Sequence, residues 1–424
     1  GSMFGVAIDA TKVSIFEVPV PTGDLAKLTK VVFDSAHSTI RPDGSRSIDP
    51  YNVEASYALF RAITGPAYGD VAAAKAIIFD PSGPVRQVPL GILASDADSV
   101  KRYKAGRKRD AFDYSGVNFV ATKANLAMAL SPRSFLLVRS KVAQSTAPQP
   151  FLGLGENAQS PEVSTELAAR PVLRGTSCGI SYGSWAAIKN ANQPISANQL
   201  GIAAAALGFP GAPTITGAAF TDIGLQEESA QGKLSQYQVL HFATHGLTET
   251  RIEVDGCSAE LPPSLITTMA PPPAQGPVLS DGLLSFGKVA ELDLNANLVV
   301  LSACETAASA SALSNRQSGA EGATGALDGL IRAFITANAR SVLATFWRVP
   351  VSEQSDDLMA TFYRTGRTES VGEALRAAQT SLIRQPKWSH PYYWGAYFVV
   401  GDTAKTMLTE TKAASNGTVA SAGM

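Results

Sequence analysis

Two short runs of this chain hold residue types able to make and break covalent bonds. The first is Gln238–Gly246 (QVLHFATHG) and the second is Leu298–Thr306 (LVVLSACET). Each is an apolar strand-like run that ends in a polar turn, with His245 and Gly246 at one tip and Cys304 at the other. A thiol beside an imidazole can ionise, and the thiolate is a nucleophile. Ligands of open α/β sheets sit at strand carboxyl ends, where these two tips would lie. If the strands are parallel neighbours, their tips stand about 4.8 Å apart and their side chains can face one another. The 59 positions between His245 and Cys304 leave room for the crossover such a pairing needs. The Gly246 and Cys304 amides would then be placed to hold an oxyanion. Read alone, Cys304 also fits a small buried apolar residue.

The other candidates are few, because the chain has only four His and three Cys. His241 and His245 have the i, i+4 spacing of helical zinc motifs, but Phe242 stands where a Glu is needed. In a strand the two would be about 13 Å apart, too far to share a metal. No metal site is expected, and His241 reads as a structural histidine. His390 precedes Pro391 among aromatic residues and also reads as structural. Trp347 and Trp394 read as core or pocket wall. Gly175–Gly179 (GTSCG) matches the G-x-S-x-G nucleophile elbow, which keeps a serine hydrolase using Ser177 as an alternative. The strand that an elbow requires is poor here, since Arg170 and Pro171 interrupt it. Gly153 and Gly155 lack the Lys-Ser/Thr of a phosphate loop and read as a strand-end turn.

The elements that must position these groups alternate between strand and helix. Ala74–Asp80, Pro150–Gly155, Gln238–Ala243, Asn297–Ala303, Ser341–Trp347 and Tyr397–Val400 are near-continuous apolar runs, as in strands covered on both faces. Between them Asn52–Thr64, Gly319–Asn338 and Ser352–Tyr363 have helical spacing. Ser370 and Glu373 form a capping box, and Gly366 is a helix stop. The pattern is that of a layered α/β protein with a mostly parallel sheet. Lys101–Arg109 packs six basic residues into nine positions and reads as a solvated loop. Glu249–Gly282, with Pro262-Pro263 and Pro271-Pro272-Pro273, reads as a loop insertion. A soft boundary falls near 150.

Composition bounds the function. The chain has 424 residues, 45% of them hydrophobic and 17% charged, with a net charge of −1, so it is neither disordered nor drawn to nucleic acid. No apolar run is long enough to span a membrane. An odd count of three Cys points to reduced thiols and a cytoplasmic setting. Gly1-Ser2-Met3 reads as an expression-vector scar, with the natural protein extending upstream.

The ordered runs His241–Gly246, Ser280–Leu284 (SDGLL) and Leu301–Thr306 resemble the CHAT proteases, caspase-like cysteine peptidases of the caspase and separase clan. Further matches are Gly322, Gly325 and Leu330–Phe334, then Ala339–Trp347, His390–Asp402 and Ile78–Leu93, so the resemblance spans roughly 5 to 405. It implies a caspase-like α/β/α sandwich with tandem subdomains. Residues 1–149 would be a caspase-like unit without a catalytic pair, 150–411 the catalytic unit, and 412–424 a flexible tail. It implies His245 as general base, Cys304 as nucleophile and a protein substrate, with no cofactor. Relatives often carry tetratricopeptide repeats upstream, so a regulatory repeat region or sensor protein is an expected partner missing from this chain. Separase-like relatives place an Asp after the strand's Trp to bind a basic P1 side chain. Here Arg348 follows Trp347 and would favour an acidic P1, whereas Glu353 or Asp356 would favour a basic one. A CHAT-like scaffold whose dyad is unused is the non-enzyme alternative.

Overall fold

The six near-continuous apolar runs become six of the strands of one eight-stranded sheet in the computed structural model, and Asn125–Met128 and Thr214–Gly217 supply the other two. The structure describes residues 2–40, 45–141, 144–174, 178–191, 194–247, 249–302, 329–347, 349 and 352–409. In chain order the strands are β1 (Ala76–Phe79), β2 (Asn125–Met128), β3 (Gln149–Asn157), β4 (Thr214–Gly217), β5 (Tyr237–Ala243), β6 (Leu298–Leu301), β7 (Ser341–Thr345) and β8 (Tyr397–Gly401). Their spatial order is β4-β3-β5-β6-β7-β8-β2-β1. Every pairing is parallel except β7 with β8. Strands β3 to β7 therefore run together and end at one rim, while β8, β2 and β1 run the opposite way. Strands from both sides of residue 149 share this sheet.

Strand alternation divides the sheet's side chains between two cores, which gives the α/β/α sandwich expected from the sequence. Val239, Leu298, Val300 and Leu343 pack on one face against the helices Asn198–Leu207, Glu353–Thr365 and Val371–Ile383. Leu240, Phe242, Val299, Leu301 and Val342 pack on the other against Phe220, Leu225, Ile331 and Phe334. Each of these aliphatic side chains, removed from water, stabilises the fold by about 1.5–3 kcal/mol. The helix ends follow local chemistry. Asn52 caps Val53–Thr64 by accepting from the Ala55 amide. Ser370 and Glu373 form the expected capping box, and Gly366 ends Glu353–Thr365.

Two segments read as irregular are ordered. Lys101–Arg109 overlaps the helix Ala97–Gly106, which Asp96 caps by accepting from the Ser99 amide. Its charges are partly balanced: Lys101 pairs with Asp98 at 3.1 Å and Lys104 with Glu54 at 3.2 Å. The Glu249–Gly282 insertion is β structure. Thr250–Val254 and Cys257–Leu261 form an antiparallel hairpin turned by Asp255 and Gly256, both at positive φ (52° and 75°). An Asp-Gly pair suits that two-residue turn because neither position tolerates a bulky side chain at positive φ. Ser264–Ile266 then pairs with Gly246–Leu247 on one side and Leu283–Ser285 on the other.

This insertion has its own core, in which Trp185, Leu247, Ile252, Leu261, Ile266 and Leu283 pack together. The expectation of three reduced thiols is corrected here: Cys178 and Cys257 form a disulfide with Cα atoms 5.8 Å apart. It ties the hairpin to the Gly179–Ser181 strand. Cys304, Arg348, Ser177 and the 412–424 tail lie outside the described residues. Among the described residues no helix is long and apolar enough to cross a membrane.

Candidate active site

Strand β5 stops where its sequence changes from apolar to Thr244-His245-Gly246. Its neighbour β6 is parallel and in register, with Val239 opposite Leu298 and Phe242 opposite Leu301. The Ser302 amide donates to the Phe242 carbonyl at 2.9 Å and carries the pairing one step further. The strands that lead into the two runs singled out in the sequence are thus adjacent and end at the same rim.

His245 is 8% exposed, so it sits at the boundary of core and solvent. Its backbone is fixed, because its carbonyl accepts from the Ile266 amide at 2.8 Å. Thr244 lies beneath it, fully buried, and its hydroxyl donates to the Ile266 carbonyl. Gly246 stands opposite Leu265. The Ile266-to-His245 bond makes Gly246 and Leu265 a non-hydrogen-bonded pair, in which the N–H of each residue points away from the partner strand. The Gly246 N–H is therefore directed away from Ser264–Ile266.

His241 is engaged inside the core. One ring nitrogen, Nε2, lies 2.8 Å from Ser302 Oγ, and Nδ1 lies 3.1 Å from the Tyr363 hydroxyl. Burial pushes its pKa down to about 3, so the ring is neutral at pH 7. It links β5, the residue after β6 and the helix Glu353–Thr365. His390 is also structural: Nδ1 accepts from the Tyr392 amide, Nε2 lies 3.0 Å from the Asp49 carbonyl, and burial pushes its pKa down to about 4. The Trp347 indole donates to the Tyr392 carbonyl and the Trp394 indole to the Ser389 carbonyl, both in the core.

A charge cluster of which the sequence singled out only the Ser280–Leu284 run lies beside the pair of strands Ser264–Ile266 and Leu283–Ser285. Asp222 is fully buried and accepts from Lys288 Nζ at 2.7 Å and from the Ser280 hydroxyl at 2.5 Å. Lys288 also donates to Asp281 at 2.7 Å and to the Leu283 carbonyl at 3.0 Å. Lys189, 5% exposed, donates to the carbonyls of Thr267 (2.6 Å) and Gly282 (3.0 Å). Burial lowers Lys189 to about 8, against the pull of Asp222 and Asp281. Burial also opposes the charge on Lys288, but Asp222 and Asp281 outweigh it and hold its pKa above the usual lysine value. Gly282 is at φ +66°, and a Cβ there would meet Lys189 Nζ at 1.7 Å. The Ser280–Leu284 motif is thus one wall of a buried charge cluster. Its members come from three separate parts of the chain, Lys189, Asp222 and the Ser280–Lys288 stretch, which only the fold brings together.

The helix Glu353–Thr365 follows β7, so its first turn lies at the rim where β5 and β6 end. Glu353 is exposed there, while Asp356 is half-buried. Burial raises the Asp356 carboxyl, and a hydrogen bond from Gln199 partly offsets that. The strands on either side of Ser177 are not those of an elbow. Pro171–Arg174 and Gly179–Ser181 pair antiparallel in a two-stranded hairpin off the main sheet. An elbow needs a sheet strand leading straight into a helix.

The family model of the CHAT domain matches residues 53–402. This chain belongs to the CHAT domain family. Within the CHAT match lie both rim tips, the charge cluster and the closing strand β8. Tetratricopeptide repeat protein 28 of Mus musculus is 32% identical over 134 residues, and that of Homo sapiens is 31% identical over the same length. The stretch covers 30% of this chain and 5% of either relative. The CHAT chain is also similar to the Arg-specific cysteine proteinase gingipain R, with TM-score 0.38 and 10% identity over 91% of this chain and 75% of that one. A second similar structure is the complex of Porphyromonas gingivalis RgpB pro- and mature domains, with TM-score 0.36 and 9% identity over 90% of this chain and 76% of that one.

Proposed function

We propose that this CHAT domain is a cysteine endopeptidase with His245 as general base and Cys304 as nucleophile. The observation that carries the reading is the β5–β6 register. Phe242 and Leu301 are matched partners, and His245 and Cys304 each lie three positions further along the chain. Parallel strands advance together, so equal offsets favour side chains at equal height above the rim.

In this reading His245 takes the Cys304 thiol proton, and the thiolate attacks the scissile carbonyl carbon. The carbonyl π pair moves to oxygen, where the Gly246 and Cys304 amides hold the oxyanion. The oxyanion collapses, the C–N bond breaks, and the imidazolium gives its proton to the leaving amine. A thioester remains. His245 then activates water, which releases the acid and restores the thiol. No metal or organic cofactor takes part.

The substrate is a protein, and its P1 pocket draws on Arg348, Glu353 and Asp356. Glu353 is the exposed carboxylate of the set, and Asp356 is tied to Gln199, which favours Glu353 as the reader of a basic P1 side chain. A regulatory repeat region or sensor protein is the proposed partner, in keeping with the tetratricopeptide-repeat relatives. The test is cleavage of a peptide library read by mass spectrometry. Wild type should give a defined set of cuts, and Cys304→Ala should give none. Equal cutting by both, or none by wild type in the presence of its native partner, rejects the peptidase in favour of a scaffold.

A further inference from the structure

We propose that Lys189, Asp222, Asp281 and Lys288 form a positioning group that sets the His245–Gly246 turn. This inference rests on the peptidase reading for its kinetic consequence, but its structural basis is independent of that reading.

The path is continuous. Lys189 Nζ donates to the Thr267 and Gly282 carbonyls, and the Thr267 amide donates to the same Gly282 carbonyl at 2.9 Å. One residue earlier, the Ile266 amide holds the His245 carbonyl and the Ile266 carbonyl holds the Thr244 hydroxyl. At the same end of this strand pair, where Leu283 stands opposite Ile266, Lys288 binds the Leu283 carbonyl and two carboxylates. Asp222 anchors all of this to the first turn of the helix Asp222–Ala230, and Trp185 donates to the Asp281 carbonyl at 2.8 Å. The strand Ser264–Ile266, which pairs with Gly246, is thus clamped on its far side by two buried charges, Lys189 and Asp222, and two half-buried ones, Asp281 and Lys288.

Such a site is costly to build. Buried ions lose hydration, and an apolar cluster of equal volume often serves stability as well. What charges add is direction: an ammonium aimed at two carbonyls fixes them more narrowly than apolar packing does. Catalysis is sensitive to that precision, since an error of 1 Å at a catalytic group costs roughly 10²-fold in rate.

The experiment compares Lys288→Met with Lys288→Arg. Arg keeps the charge and can serve both carboxylates, whereas Met keeps only the apolar stem. Lys288→Met should exchange the Ile266 amide roughly tenfold faster or more, in the spirit of local opening, while amides of Glu353–Thr365 stay unchanged. Its kcat should fall by roughly 10²-fold with KM within about twofold. Lys288→Arg should restore most of both. Unchanged Ile266 protection in Lys288→Met overturns the proposal, whatever the enzyme does. An equal rise in exchange throughout the chain also overturns it, because that is general destabilisation. Wild-type kcat in Lys288→Met, beside an inactive Cys304→Ala, removes the positioning role and leaves the peptidase reading intact. If wild type cleaves nothing, the peptidase reading fails and the amide exchange alone decides the structural claim.

Discussion

Phe242 and Leu301 face each other across parallel strands, and the Ser302 amide closes on the Phe242 carbonyl at 2.9 Å. That pair is the last fixed rung below the site. The two residues proposed for chemistry, His245 and Cys304, each follow it by three positions in the sequence.

Removing either member of the proposed dyad should therefore stop chemistry without loosening the rung. Cys304→Ala and His245→Asn are each expected to lower kcat/KM by more than about 10³-fold, since residues acting as one unit fail together. Circular dichroism melts should stay within about 2 °C of wild type, as neither change touches the packing of β5 and β6 beneath the site. A variant that retains a tenth of wild-type activity would remove its residue from the proposed roles.

The thiols should titrate in two classes. With three Cys in the chain and Cys178 joined to Cys257, native protein should show one thiol reactive to a disulfide reagent, and three after reduction and unfolding. Reduction opens a loop spanning 79 positions and should cost about 2–4 kcal/mol. A Cys178→Ser, Cys257→Ser double variant should melt at the same temperature with and without dithiothreitol. Three reactive thiols in native, unreduced protein would contradict the bond.

Acid should weaken the core through His241 and His390. Their folded pKa values lie at about 3 and about 4, below the ordinary value of 6.5. A depressed histidine prefers to be neutral in the fold, so the unfolded chain binds more protons between the two values. The stability contribution is fully present above pH 6.5 and is lost as pH falls through 6.5 toward 4 and 3. Each ring contributes up to about 1.4 kcal/mol per pH unit in that window. Urea melts at pH 7, 6, 5 and 4.5 should show the slope, and His241→Gln should reduce it by roughly half.

Strands β3 and β5 to β8 were legible because they are buried on both faces, which removes the polar half of the alternation and leaves unbroken apolar runs such as Leu298–Leu301, whereas β1 was read from an apolar run that the structure leaves at an exposed edge. The edge strand Thr214–Gly217 was not: its Thr-Ile-Thr-Gly is short, polar and preceded by Pro213. Helix Ala97–Gly106 was hidden by its basic run, although Asp96 stood at its start as a cap. In the insertion the proline pairs outweighed Asp255-Gly256, a turn signal of greater weight for what lies beside it. Of the site, the Thr244–Gly246 tip of β5 could be read because it is a local change from apolar to polar. Lys189, Asp222 and Lys288 could not, since only the folded chain brings them together, and nothing local to any of them distinguishes a buried lysine from a solvated one.

Gly155 supplies the sharpest test of how tightly the rim is built. It pairs with Ala243 at the end of β5, and a Cβ there would fall 2.1 Å from the Ala243 carbonyl oxygen and 2.8 Å from its carbon. Both are backbone atoms of the residue two positions before His245, so no side-chain rotation relieves the clash. Strand β5 must move away from β3, or the sheet must open at its carboxyl end. Gly155→Ala should destabilise by about 1–3 kcal/mol, the usual cost of overpacking, and should displace the His245 turn. Gly201 is the control. It lies in the helix Asn198–Leu207 with nothing within 4 Å of its would-be Cβ. Gly201→Ala should stabilise by up to about 1 kcal/mol, because alanine loses less backbone freedom in a helix. Urea midpoints that shift in opposite directions for the two variants, with activity lost only in Gly155→Ala, are the expected result. Equal stability of Gly155→Ala and wild type would mean that β3 and β5 do not approach as closely as their register requires.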